Sequence, residues 1–383
     1  MNNRKIIIGH SIISQVGNQS RLSADVTIDD KILSLYFGVD SIYGQFLTQH
    51  RADPFLATLV NLAMVTNRDI VCQDPVSEKM LYSLRHTYIP ALSFWTKEFH
   101  ACKIEATPIS SAIENAHGVG TGMSFGSDSL YTFQNHYQKS EYPITHICNF
   151  NNGVYGDSEG IAFNNHSSLV RNFASEMNIS AVPVDTNLQD VLPERYLDVY
   201  SQRNMACALA LQGLFSMYLY SSGHPEDTLK IDPHNSAYYD PLTVECFSTE
   251  SLTFILSGCE LSRVQKLAAL GDFEPATRLM HPCFKAAINS CNCGKCWKDI
   301  CDMTTLYALG LKDKFKAVYN WEPFTRTLPM NLAFLMYNSE SELCNDALNV
   351  WKDAGLEIPK QAYVYTRIFE KAGKNLSDTT KEL

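Results

Sequence analysis

The chain has 383 residues, 45% of them apolar, which is enough for one large domain or two to three modest ones with cores of their own. Its formal net charge of -10 excludes a surface made to coat phosphate backbones, since such surfaces draw on clustered Lys and Arg, so nucleic acid is not an expected partner. Gly9, His10 and Ser11 interrupt the apolar run Ile6-Ile7-Ile8, and the apolar stretch 205–220 is shorter than the roughly 20 residues of a membrane crossing, so a cytoplasmic protein with no membrane partner is expected.

From residue 5 to about 39, Ile6-Ile7-Ile8 and Ile32-Leu33-Ser34-Leu35-Tyr36-Phe37 are short and β-prone, and Asp29, Asp30 and Lys31 mark a turn after Val26-Thr27-Ile28. The apolar spacing then lengthens toward the helical period at Phe55, Leu59, Leu62 and Ala63, and again at Met80, Leu81 and Leu84. These patterns predict a small α+β module over 1–108. A Gly-rich strand follows at 117–124, then a helix near 129–138, a strand at 145–150, a helix near 166–177 and a strand at 179–184. The alternation predicts an α/β domain over 109–270, a parallel, twisted sheet with helices on both faces and right-handed crossovers. Residues 203–221 and 261–270 read as helical, the first of them a buried helix. The region 271–383 carries a cysteine cluster and then helices containing Trp351 and Tyr363.

The segment between the 117–124 strand and its helix is Ser124-Phe125-Gly126-Ser127-Asp128-Ser129. A turn from strand into helix presents backbone amides and the positive end of the helix dipole, and both favour an anion. A Walker A loop would need Gly-Lys followed by Ser or Thr, and the dinucleotide fingerprint starting at Gly120-Thr121-Gly122 would need glycine at Phe125; neither fits. Serine hydroxyls and amides suit terminal phosphates, and the Asp128 carboxylate suits Mg²⁺ or the helix start. The plain alternative is a turn whose Ser124 and Asp128 cap the helix. Asn149 and Asn151 close the next strand at the carboxyl edge, where ligands of open α/β sheets gather, and are candidates for nucleotide or substrate contact. Arg263 and Lys266, about one turn apart near a helix start, can point at a single anion, or form a solvated face.

Of the twelve cysteines, five crowd between Cys283 and Cys301. In Cys283-x9-Cys293-Gly294-Lys295-Cys296-x4-Cys301 the Cys-Gly-Lys-Cys knuckle turns amides toward sulfur while both thiolates reach one ion. Four thiols, Cys283, Cys293, Cys296 and Cys301, predict a closed tetrahedral Zn²⁺ site that staples a loop, with Cys291 competing with Cys283 as first ligand. An iron–sulfur cluster, a sulfur-relaying Cys-x-x-Cys pair and unligated core cysteines are the other readings.

The Ser124–Ser129 segment resembles the Ser-Gly-Gly-x-Asp-Ser signature of PP-loop ATP pyrophosphatases, with Phe125 in place of the first glycine. Ser262-Arg263-x-x-Lys266 is similar to the Ser-Arg-x-x-Lys element that follows that loop, which implies a pyrophosphate clamp. The Asn292-Cys293-Gly294-Lys295-Cys296 knuckle resembles the zinc site of 7-cyano-7-deazaguanine synthases and of relatives carrying Asn-Cys-Gly-Arg-Cys, although the outer spacings x9 and x4 depart from x7 and x2. The likeness spans about 117–310. It implies ATP bound at Ser124, Phe125, Gly126, Ser127, Asp128, Ser129 and Asn149, with Mg²⁺, and catalysis by Asp128, Arg263 and Lys266. The implied reaction is adenylation of a carboxylate or amide oxygen with release of pyrophosphate, followed by attack of ammonia or another amine. A small molecule, a peptide or a protein terminus is the expected substrate, and a homodimer or a multi-subunit complex both fit. A PP-loop sulfur transferase and a catalytically silent, nucleotide-binding accessory subunit are the alternatives.

Overall fold

A computed structural model describes residues 4–138, 141–155, 160–283, 288 and 290–372. It divides into two compact units, Met1–Met123 with Asn135–Cys259 (unit 1), and Ser124–Gln134 with Glu260–Leu383 (unit 2).

Unit 1 opens with β1 (Lys5–Ile8), β2 (Ile12–Val16), β3 (Gln19–Ile28) and β4 (Lys31–Asp40). The β3–β4 hairpin turns through Asp29 and Asp30, with Asp29 at φ +53, the left-handed backbone that tight hairpin turns require. Alternate residues of the hairpin, Leu22, Ala24 and Val26 on one strand and Leu35, Phe37 and Val39 on the other, are buried. Next come α1 (Asp53–Val65), β5 (Asp69–Cys72), β6 (Val76–Ser77), α2 (Glu78–Ser83), α3 (Ile89–Trp95), β7 (Ile104–Glu105) and β8 (Pro108–Ile109). α1 is mostly apolar, with Asp53, Thr58 and Asn61 as its polar residues, and is buried from Asp53 to Met64.

The central run is β9 (Gly118–Gly122), α4 (Ser127–His136), β10 (His146–Asn151), α5 (Ile161–Glu176) and β11 (Ser180–Thr186). It continues through α6 (Leu188–Val191), α7 (Tyr196–Leu209), β12 (Phe215–Ser221), α8 (Asp240–Cys246) and β13 (Thr253–Ser257). β13, β12, β9, β10 and β11 pair side by side, all parallel, so β9 lies between a strand that follows it directly and one reached later. That order reversal is the switch point of a doubly wound sheet.

The sheet does not stop at β11. β4 pairs antiparallel with β11, with Val39 opposite Val184, and β3, β1, β5 and β7 follow in order. The fold is therefore α/β with a mostly parallel but mixed sheet, in contrast to the wholly parallel sheet expected. The division also differs from the three-part reading, because the β4–β11 ladder joins strands from 1–108 to those of the central run while 124–134 groups with the C-terminal region. A second correction concerns 205–220, expected as a single buried helix: α7 ends at Leu209 and Phe215–Ser221 is β12. A parallel strand covered on both faces is a continuous apolar run, and over so short a span it lacks the period that would separate it from a helix.

Unit 2 beyond residue 260 is helical: α9 (Arg263–Leu270), α10 (Glu274–Leu279), α11 (Trp297–Ala308), α12 (Trp321–Arg326), α13 (Leu328–Tyr337), α14 (Glu342–Asp353) and α15 (Lys360–Ala372). Ile300, Leu332, Leu335, Leu348 and Trp351 are among its core residues, and the Tyr307 and Trp351 rings stack at 5.4 Å. Among the described residues no helix is long and apolar enough to cross a membrane.

The glycines of β9 have a packing cause. A Cβ on Gly120 would meet Phe215 Cε1 at 2.9 Å and Tyr218 Cδ2 at 3.0 Å, and both rings are buried with nowhere to retreat. Gly120→Val should therefore overpack this face and lower stability by about 1–3 kcal/mol, read as a lower urea midpoint; an unchanged midpoint would show that the rings have room.

Candidate functional site

The loop of unit 2 closes through its serines. The Ser124 amide donates to Ser129 Oγ at 3.3 Å, the two hydroxyls lie 3.1 Å apart, and the Gly126 amide donates to Ser124 Oγ at 3.2 Å. Ser129 Oγ donates to the Gly126 carbonyl at 3.1 Å, and the Leu130 amide also donates to that carbonyl, which opens α4. Gly126 thus occupies the cap position and has no side chain to accept from the first-turn amides of Ser127, Asp128 and Ser129. Among the described residues Ser127 Oγ is buried without a hydrogen-bond partner.

Phe125 stands where the PP-loop signature has its first glycine, and its φ is +57. Left-handed backbone is ordinary for glycine and costs a bulky residue about 1–2 kcal/mol. The Phe125 side chain is fully buried, and its carbonyl accepts from the His281 amide at 2.8 Å. Packing and that hydrogen bond hold the residue in a backbone state suited to glycine.

Asp128, the second residue of α4, is gripped from α9. Lys266 Nζ donates to Oδ1 at 3.0 Å and Arg263 Nη1 to Oδ2 at 3.3 Å. Burial raises the Asp128 pKa, but Lys266 and then Arg263 outweigh it and hold the carboxyl below its usual range. The capping roles open to Ser124 and Asp128 are thus not the ones their side chains take. α9 begins with a capping box in which Ser262 Oγ accepts from the Gln265 amide and the Gln265 side chain accepts from the Ser262 amide, which fixes where Arg263 and Lys266 emerge. Arg263 also makes a bidentate pair with Asp302 on α11, at 2.7 and 2.9 Å, and Asp302 is fully buried. Lys298, one turn earlier on α11, is brought down to about 8 by burial and then by Arg263. Three cations so meet two carboxylates, an excess of positive charge beside a serine loop.

The sequence marked Asp128, Arg263 and Lys266, and the fold brings all three together. It did not mark Asp302 or Lys298; their spacing of four places them on one face of α11, but nothing local names their partner. Asn149, expected to contact nucleotide, belongs to unit 1, where its amide donates to Ser167 Oγ at 2.9 Å.

The thiol cluster surrounds the start of α11. One ligand atom from each of Cys283, Cys293, Cys296 and Asp299 lies within 4.8 Å of the others. The Cys283 and Cys296 sulfurs are 3.9 Å apart, close to the separation of about 3.8 Å set by tetrahedral Zn–S bonds of about 2.3 Å. Gly294, at φ +66, turns the knuckle so that the Lys295 and Cys296 amides donate to Cys293 Sγ at 3.4 and 3.3 Å. The Asp299 amide donates to Cys296 Sγ at 3.4 Å. Asn292 anchors the loop by donating to the Met280 and Val318 carbonyls. Asp299 Oδ2 accepts from the Gly294 amide at 2.7 Å, whereas among the described residues its Oδ1 is buried without a hydrogen-bond partner. Burial, then Cys283, pushes the carboxyl up to about 7, so three thiols and a carboxyl crowd together where a cation would favour their charged forms. The group could hold a metal such as zinc.

One cysteine is corrected. Cys301, expected as the fourth ligand, is two residues past Asp299 on α11 and so on another face; its sulfur is 3.8 Å from Cys344 in the helical core. Asp299 takes its place in the cluster. Cys291 is exposed and contacts the Ala317 carbonyl, which leaves Cys283 as the first ligand. An acidic residue three positions after a Cys-x-x-Cys knuckle was the available signal, missed because only cysteines were counted.

No protein-family model, no curated protein and no solved structure matches this chain.

Two outcomes check these assignments. Elemental analysis of the purified protein should find about one zinc per chain, lost on Cys293→Ser, Cys296→Ser or Asp299→Asn and kept on Cys301→Ser or Cys291→Ser; zinc that followed Cys301 instead would reject the Asp299 assignment. Phe125→Gly removes buried packing worth about 3–5 kcal/mol and relieves left-handed strain of about 1–2 kcal/mol. Packing wins, so urea unfolding should show a net loss of about 1–4 kcal/mol, and a gain in stability would mean that strain dominates the loop.

Proposed function

We propose that this chain is an ATP-dependent enzyme that cleaves ATP to AMP and pyrophosphate in order to activate an oxygen for amide-type bond formation, as the PP-loop resemblance implies. The observation that carries the reading is the glycine-like backbone of Phe125. A buried phenylalanine held left-handed at the signature's first glycine position, just before the glycine whose carbonyl opens the helix, supports a glycine-like loop backbone where the chain departs from the signature's sequence. The Asp128–Lys266–Arg263 cluster supports it from a second direction.

On this reading the amides of Ser127, Asp128 and Ser129, with the Ser124, Ser127 and Ser129 hydroxyls, receive the outer phosphates. Lys266 and Arg263 draw off the charge that builds on departing pyrophosphate, and Asp302 holds the Arg263 guanidinium in plane. A Mg²⁺ accompanying ATP would be held through Asp128, which neutralises phosphate charge. A carboxylate or amide oxygen of the substrate attacks the α-phosphorus, the bond to the bridging oxygen breaks and pyrophosphate leaves. Ammonia or another amine then adds to the activated carbon, loses a proton and expels AMP. The loop contributes position and charge stabilisation and forms no covalent bond. Zinc at the thiol cluster, with four protein ligands and no open position, would serve structure.

Incubation with α-labelled ATP, Mg²⁺ and pooled carboxylate substrates tests this. AMP and pyrophosphate are the expected products, and Asp128→Asn and Lys266→Met should each reduce AMP formation by about a hundredfold or more. ADP as the sole product, or AMP formation indifferent to both substitutions, would reject the reading.

A further inference from the structure

A buried pair in unit 1 lacks the hydrogen bonds that its charges demand. Arg203, on α7, is fully buried, and only its Nη1 is paired, with the Asn152 carbonyl at 3.2 Å and Gln189 Oε1 at 2.8 Å. Among the described residues its Nε and Nη2 have no hydrogen-bond partner. The Glu194 side chain is 9% exposed, and among the described residues neither carboxylate oxygen has a hydrogen-bond partner. Arg203 Nη2 and Glu194 Oε2 are 3.7 Å apart, beyond hydrogen-bond reach, whereas a bidentate pair closes to about 2.8 Å. Asn152, also fully buried, donates to Asn204 Oδ1 at 2.6 Å and leaves its own Oδ1 open.

Native interiors seldom leave one such group unsatisfied, and here the two members of a charge pair and the amide beside them are open together. The place fits a ligand, because Asn152 follows the carboxyl end of β10, Glu194 follows α6 beyond β11, and Arg203 lies on the helix that leads into β12. Gly153 keeps the wall close: its φ is +119, and a Cβ there would meet Gln189 Oε1, Arg203's partner, at 2.4 Å.

The open groups define the chemistry. Nε–H and Nη2–H form one edge of a guanidinium, two parallel donors that match a carboxylate. Glu194 offers acceptors and a negative charge, which match an ammonium. A simple anion would meet Glu194 with like charge, and a simple amine would meet Arg203 in the same way. A ligand carrying a carboxylate and an ammonium a few bonds apart satisfies both. We propose that Arg203, Glu194 and Asn152 form a binding site for a free α-amino acid, its carboxylate on the open edge of Arg203 and its ammonium on Glu194 and the Asn152 amide oxygen. All of these residues lie in unit 1, so the proposal stands or falls independently of ATP at the unit 2 loop.

Titration calorimetry of the full chain against each of the twenty standard amino acids, at up to about 10 mM so that millimolar affinity registers, tests it. At least one should bind, its N-acetyl and carboxamide derivatives should each bind at least about tenfold more weakly, and so should the parent amino acid to Glu194→Gln or Arg203→Lys. No binding by any amino acid, or binding that survives both substitutions, would overturn the proposal. A second measurement covers loss of fold: the ligand-free double variant Arg203→Met with Glu194→Leu should melt at or above the wild-type temperature, because it removes two unsatisfied charges and keeps apolar volume. A clearly lower melting temperature would assign the pair to structure alone and overturn the proposal.

Discussion

Arg263 is the residue on which the arrangement of unit 2 turns. It reaches Asp302 through two short hydrogen bonds and Asp128 through a third, so one guanidinium ties α11 to α9 and α9 to the helix that starts at the serine loop. Asp302 is fully buried, and an isolated carboxylate there would be expensive; only a planar, always-charged partner with a fixed fork satisfies it. A lysine could supply charge but not the two parallel donors. The requirement runs in reverse as well, since the Asp302 pair holds the guanidinium still and lets its remaining donor find Asp128. The positive charge near the loop is thus pre-placed by a buried counter-ion.

α11 serves three purposes within its first two turns. Cys296 caps it and Asp299 follows within the first turn, so the knuckle and the helix start share one set of amides. Lys298 and Asp302, on the neighbouring face, belong to the charge cluster, while Cys301 points into the apolar core with Cys344. The angular step of the helix, about 100° per residue, sorts three functions onto three faces. It also explains why a ligand set read from cysteine spacing alone chose Cys301: linear spacing carries no angle, whereas the helix beginning at Trp297 imposes one.

Much of unit 1 was legible because its signals are local. The Asp29–Asp30 turn, the β-prone runs on either side of it, and each strand and helix of the alternation through β11 lie within a dozen or so residues. What was not legible is non-local. The β4–β11 ladder joins Val39 to Val184, and no local pattern announces that pairing or its antiparallel sense. β12 was hidden in a run that is apolar for a different reason from a helix. In the site, the charged residues flanking motifs were found, whereas Asp302 and Lys298 were missed because each has meaning only beside a partner far along the chain, and Asp299 was missed because only cysteines were counted. Asn149 shows how little a carboxyl-edge position decides by itself: its amide nitrogen donates to Ser167 on the helix packed behind it, while among the described residues its Oδ1 is buried without a hydrogen-bond partner.

The serine loop had two readings in sequence, a capped turn or an anion seat, and they differ in where the side chains go. A capped turn directs Ser or Asp oxygens at the first-turn amides. In this loop Ser124 and Ser129 bond across to each other and Asp128 turns toward α9, while the cap position falls to glycine. The loop therefore spends its polar side chains on holding its own shape and leaves the amides at the positive end of α4 for something other than itself. Phe125 carries the same implication, because a turn that needed only to join strand to helix could place a right-handed residue there at no cost. The left-handed backbone is the more expensive solution, and expensive local conformations persist where the surrounding structure, or a ligand, requires that shape.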